Sequence, residues 1–169
     1  MSSPHPLSGL TVVEIGHSVA APYAGMILGE LGAEVIKVEN PKGGDACRGW
    51  GPPFTEGTAT AFHAFNRAKR GITIDLGDPA EVDKLRALIR DRADVLIHNL
   101  KHGTLDRYGL SADALLAEKP DLVYCNLGGL DRLSLRALSA PVIRGRGQEG
   151  VADVEPSPTL RSYGRRDRL

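Results

Sequence analysis

The chain has 169 residues, 41% hydrophobic and 25% charged, which suits one ordinary globular domain with a sizeable core. Lys+Arg and Asp+Glu balance at 21 each, so bulk charge draws neither nucleic acid nor an anionic membrane. Cys47 and Cys125 lie far apart, fit neither a disulfide framework nor a CxxC metal site, and read as reduced cytosolic thiols.

The opening MSSPHPLSGL lacks the basic-then-apolar pattern of a secretory signal, and no apolar run approaches the ~20 residues of a membrane span. A cytoplasmic location is expected. Residues 11–15 (TVVEI) form a short β-branched strand that ends at Gly16. A polar, small-residue loop follows, and residues 22–31 predict a helix with Pro22 in its first turn and Gly32 as its stop. Val35–Val38 is a second strand, so strand, helix and strand make a right-handed βαβ unit.

Asn40–Gly57 is rich in Gly and Pro, holds the lone Trp50, and is longer than an ordinary connection; such loops are functional or disordered. Residues 59–66 read as helix and 71–76 as a third strand. Asp78-Pro79 caps and starts a helix to about Arg90, with Val82, Leu85, Leu88 and Ile89 on one face. Asp94–Ile97 is a fourth strand, Ser111 caps a short helix bearing Leu115 and Leu116, and Leu122–Cys125 is a fifth strand. This alternation predicts an α/β fold with an open, mainly parallel sheet covered by helices on both faces.

The pattern changes after Leu130. Residues 131–169 carry eight arginines and no lysine, against seven arginines and six lysines in residues 1–130. The segment has one Tyr and no Phe or Trp, and its apolar residues keep neither strand nor helix spacing. Two readings compete: a natural basic, disordered tail, or an out-of-frame stretch of GC-rich coding sequence. The second is preferred because the sheet pattern stops in mid-fold. The organisation expected is therefore a cofactor-binding part over 6–130 and an atypical Arg-rich tail over 131–169.

In open α/β sheets, ligands bind at the carboxyl ends of the strands beside a topological switch point. The loops to inspect are 16–21, 39–45, 75–78, 98–103 and 126–131. No G-x-G-x-x-G follows the first strand and no G-x-x-x-x-G-K-[ST] occurs, which disfavours a standard NAD or P-loop enzyme. The loops instead offer His17, Asn40, Lys42, Asp75, Asn99, Lys101 and Arg107. Each alone is weak, since single surface cations are usually solvated and a strand-end histidine is usually structural. Their shared place at successive strand exits suits a phosphorylated ligand with polar decoration. No residue pattern points to a metal.

These residues carry a resemblance. LSGLTVVEIGHSVAAPYAGMILGELGAEVIKVENPKGGDACRGW looks like the opening of the family III CoA-transferases, the formyl-CoA transferase and carnitine CoA-transferase group (CaiB/BaiF type). NRAKRGITIDL, ADVLIHNLKHGTLDRYGL and PDLVYCNLGGL follow in that family's order and spacing. The resemblance implies a Rossmann-like domain, an interlocked homodimer, and acyl-CoA and carboxylic acids as substrates, with coenzyme A as substrate and no permanently bound cofactor. By the same resemblance, Val19 and Ala20, with His17 beside them, lie against CoA. Asn40 takes a position where relatives often place a basic group on the nucleotide phosphates, and Lys42 is the candidate to substitute. Ile74, Asp75, Leu76 and Gly77 match the adenine and ribose side. Asn99, Leu100 and Lys101 match a cofactor-binding loop, with Arg107 as its phosphate-facing arginine.

After Gly128–Asp131 the sequence departs from the family. The family's nucleophile is a downstream aspartate that attacks the thioester, giving a mixed anhydride and then an enzyme-bound CoA thioester. That motif is not found; Asp153, in GVADVEPSP, does not resemble its setting. No catalytic residue is assigned, and the chain is expected to be truncated and inactive. The alternatives are a non-catalytic CoA-binding fragment and an acyl-CoA racemase relative; His17 favours the transferase, since racemases lack a histidine there.

Overall fold

A computed structural model describes residues 5–128; the Arg-rich segment 131–169, Asp153 and the end of the fifth exit loop lie outside the described residues. The first strand, β1 (Thr11–Ile15), falls where the β-branched run places it. It is followed by helix α1 (Ala20–Glu30), strand β2 (Glu34–Glu39), a 3-10 turn (Ala46–Gly49), and short strands β3 (Phe54–Thr55) and β4 (Thr58–Ala59). Helix α2 (Thr60–Asn66), strand β5 (Lys69–Thr73), helix α3 (Pro79–Arg92) and strand β6 (Val95–His98) come next. A second 3-10 turn (Leu105–Tyr108), helix α4 (Ala112–Glu118) and strand β7 (Val123–Asn126) complete the described residues.

Five strands form one parallel sheet in the order β5-β2-β1-β6-β7, and β3 with β4 makes a separate antiparallel pair. Alternation along the strands sends successive side chains to opposite faces. Val13, Ile15, Val38 and Leu96 meet Val82, Leu85 and Ile89 of α3 and Leu115 of α4 on one face. Val12, Val35 and Ile97 meet Ala24 and Leu28 of α1 on the other. Both faces are thus covered, as the alternation predicts.

The caps read from sequence are formed. Asp78 accepts from Ala80 N at 2.9 Å and Pro79 opens α3; Ser111 Oγ accepts from Ala114 N at 3.2 Å. Two features differ from expectation. The third main strand begins two residues early, at Lys69, and ends at Thr73, leaving Ile74–Leu76 in the following turn. Partners far along the chain fix that register: Arg70 pairs with Glu34 at 2.8 Å and Lys69 with Glu14 at 2.7 Å. The long loop after β2 is ordered, holding a 3-10 turn and the β3–β4 hairpin.

Helix α1 turns small residues toward the protein beside Met26 and Leu28, and leaves other large apolar side chains outside. Gly25 is buried, whereas Tyr23 and Ile27, with Leu31 just past the helix end, stay near half exposed. A Cβ on Gly25 would run into the buried Glu14 carboxylate, and one on Gly29 would lie 2.9 Å from the Ala68 carbonyl oxygen. Helix propensity alone would favour alanine at Gly25 by about 1 kcal/mol. Overpacking against a fixed buried charge costs about 1–3 kcal/mol and should win. Gly25→Ala is therefore expected to lower the urea midpoint at unchanged slope; a raised midpoint would show that α1 can shift away.

Candidate functional site

After β1 the chain lays β2 and β5 to one side, then crosses to add β6 and β7 on the other. The switch point is the crevice between the carboxyl ends of β1 and β6. Across it, Asn99 clips the β1 exit loop: its Oδ1 accepts from His17 N at 3.0 Å and its Nδ2 donates to His17 O at 2.8 Å. The amide keeps one further donor and one further acceptor for a ligand. Gly16 permits this approach, since a Cβ there would lie 2.5 Å from Ala21 Cβ and 2.9 Å from Asn99 Oδ1.

The His17 ring is exposed, with Nδ1 2.9 Å from Ser18 Oγ. Val19 and Ala20 are also exposed, where α1 begins with no side-chain cap and no acidic residue in its first turn. Free N–H groups and the positive end of the helix dipole therefore face the crevice. On the β6 side, Lys101 and Arg107 are exposed, and among the described residues neither side chain has a hydrogen-bonded or ionic partner. Arg107 rides the second 3-10 turn, which closes on Gly109 at φ 66. Leu100 belongs elsewhere: it packs on the core under α3.

A second group gathers at the β2 and β5 exits. Asn40 Oδ1 accepts from Lys42 N at 2.7 Å, and Lys42 Nζ lies 3.3 Å from Asp75 Oδ2. The Gly77 N–H donates to Asp75 Oδ1 at 2.9 Å. That donor, with Lys42, holds the Asp75 carboxyl below its usual range. Ile74 and Leu76 pack on the core. Beside this group is an open cleft of about 710 Å³, lined by Asn40, Gly43, Gly44, Arg48 and Thr73 among others.

Sequence reasoning missed the charges beneath these loops. Glu14 and Lys37 are cross-strand partners, fully buried, with Lys37 Nζ 2.9 Å from Glu14 Oε1. Lys37 also donates to Asp45 Oδ2 at 3.0 Å, and Lys69 approaches Glu14 Oε2 as an ion pair at 2.7 Å. Glu39 extends the chain of charges, accepting from Asp45 N at 2.9 Å and from Arg48 Nε and Nη2 at 2.8 and 2.9 Å. The Arg48 guanidinium lies over the Phe62 ring, 3.8 Å from its centroid. Burial opposes ionisation of Glu39 and Asp45, but the cations and N–H donors outweigh it and hold both below the usual carboxylate range. The one available signal was a charged residue inside each apolar strand, TVVEI and EVIKVE.

Also missed is His98, at the carboxyl end of β6. It is 3% exposed, packs edge-on against Tyr124 at 5.3 Å, and neither ring nitrogen has a partner among the described residues.

An open α/β domain, wound in both directions from β1 and lined at its switch point by N–H donors and cations, is the class this geometry defines. Residues 7–137 match the family described as CoA-transferase family III, and the chain belongs to that family. It is 46% identical over 130 residues to the succinate–glutarate CoA-transferase of Agrobacterium fabrum, covering 73% of this chain and 32% of that protein. It is 40% identical over 125 residues to the succinyl-CoA–L-malate CoA-transferase alpha subunit of Chloroflexus aurantiacus, covering 73% and 29%. A crystal structure of a CaiB/BaiF family protein from Brucella suis is similar at TM-score 0.69 and 48% identity, covering 73% of this chain and 33% of that one. The chain spans about a third of the length of these relatives. Among the described residues, no helix is long and apolar enough to cross a membrane.

Proposed function

We propose that this chain is the CoA-binding part of a CoA-transferase that moves CoA between an acyl-CoA and a carboxylic acid. The observation that carries the reading is the β1–β6 crevice, where the His17–Asn99 clip joins the loop before an uncapped helix start to the loop that leads to Lys101 and Arg107, both exposed and without a partner among the described residues. Such a site suits phosphate oxygens, and the exposed Val19 and Ala20 give an apolar margin for the rest of the cofactor. Asn40, Lys42, Asp75 and Gly77 are assigned to the nucleotide end, at the neighbouring β2 and β5 exits. Small dicarboxylates are the proposed acyl groups, because the relatives' names specify them. A second subunit and a cytoplasmic setting complete the proposal; the free thiols Cys47 and Cys125 suit the latter.

Titration calorimetry with CoA tests this reading. Arg107→Ala should lose a charge-assisted contact worth about 1.5–3 kcal/mol, or about 10- to 100-fold in affinity. Unchanged affinity in that variant would move the phosphates elsewhere, and no CoA binding by the unaltered protein would overturn the reading. Succinyl-CoA with glutarate as acceptor is the turnover assay to run beside it.

A further inference from the structure

The β1 exit loop holds an unusual shape. Gly16 is buried, and Ser18 sits at φ 67, a left-handed backbone that residues with a Cβ seldom adopt. Such a conformation persists only where its surroundings fix it. Two buried side chains do so from below: Lys37 Nζ donates to Gly16 O at 3.0 Å, and Asp45 Oδ1 accepts from Ser18 N at 2.8 Å. The same Asp45 oxygen accepts from Cys47 N at 2.9 Å, tying the exit loop to the 3-10 turn after β2.

Stability does not explain burying these charges, since well-packed apolar residues of similar volume often serve as well. Geometry does. An apolar side chain could satisfy neither the Gly16 carbonyl nor the Ser18 N–H, and each would then be costly to bury.

We propose that Lys37 and Asp45 are positioning residues: they hold Gly16–Val19 in the shape that presents His17 and the start of α1 to CoA, without touching CoA themselves. The proposal rests on assigning that loop to CoA, so its test needs one readout that does not.

The variants are Asp45→Ala, Asp45→Asn and, as a control, Leu115→Ala, which opens a core cavity beneath α4 and removes none of the hydrogen bonds that hold the loop. Two quantities are measured well below each unfolding midpoint: CoA affinity by calorimetry, and Ser18 amide exchange by NMR without CoA. Asp45→Ala should weaken CoA binding about tenfold or more and speed Ser18 exchange selectively, while Asp45→Asn, which keeps an accepting oxygen, should weaken it about threefold. Leu115→Ala should change neither. Equal weakening by Leu115→Ala would mean a general structural effect and would overturn the proposal. So would unchanged affinity and unchanged Ser18 exchange in the Asp45 variants. If Asp45→Ala does not fold, Asp45→Asn decides alone by the same two measurements. If the unaltered protein does not bind CoA, the functional reading fails, while Ser18 exchange still decides whether Asp45 sets the loop.

Discussion

Replacing Lys37 with methionine should destabilise the protein by about 3–5 kcal/mol, the cost of removing one partner from a buried ion pair. Methionine fills much the same space, so packing loss is small and the effect isolates the charge. It leaves Glu14 and Asp45 facing each other without the ammonium that bridges them at 2.9 and 3.0 Å, with only Lys69, 2.7 Å from Glu14, to offset them. The Gly16 carbonyl loses its donor as well. Lys42→Met is the comparison: its pair with Asp75 holds a lysine side chain 81% exposed, and exposed pairs contribute about 0–1 kcal/mol. Urea unfolding at neutral pH measures both. A double variant, Lys37→Met with Asp45→Asn, should recover part of the loss, because Glu14 keeps Lys69 2.7 Å away and the other buried carboxylate is no longer charged. A loss in Lys37→Met no larger than in Lys42→Met would show that water or relaxation reaches the network.

What sequence could deliver divides along the range of the interactions. Helix α3 was legible end to end because its signals are local: the Asp78 cap, Pro79, and apolar residues recurring at Val82, Leu85 and Ile89. The same holds for β1. The start of β5 was not, because Lys69 and Arg70 look like loop residues until Glu14 and Glu34 are found beside them. Order in the loop after β2 likewise depends on Asp45 reaching Ser18. His17, Asn99 and Arg107 could be proposed as candidates because the rule that ligands bind at the carboxyl ends of the strands needs only the order of elements along the chain. That rule says which loops converge, not where each side chain goes. Ile74, Leu76 and Leu100 share those loops yet pack on the core. Glu14 and Lys37 escaped notice because cross-strand register has no local signature.

His98 should make the protein acid-sensitive well above the carboxylate range. Burial pushes its imidazole from 6.5 down to about 4, with Asp106 pulling weakly the other way. The unfolded chain therefore binds the proton first. Stability is fully present above pH 6.5, falls as pH drops below it, and has lost about 3 kcal/mol from this group once pH is below 4. Glu39 and Asp45 also lose stability in acid, but only as pH falls below their ordinary values of 4.5 and 3.8. The interval between pH 6.5 and 4.5 thus isolates His98 from them. His98→Leu, which fills the site beside Tyr124 without a titrating group, should flatten that interval and leave the steeper fall below pH 4.5 in place. Urea midpoints at half-unit pH steps would show the slope and its removal. A slope of equal size in His98→Leu would assign the acid sensitivity to another group, and no slope in the unaltered protein would mean that His98 finds a partner for its proton in solution.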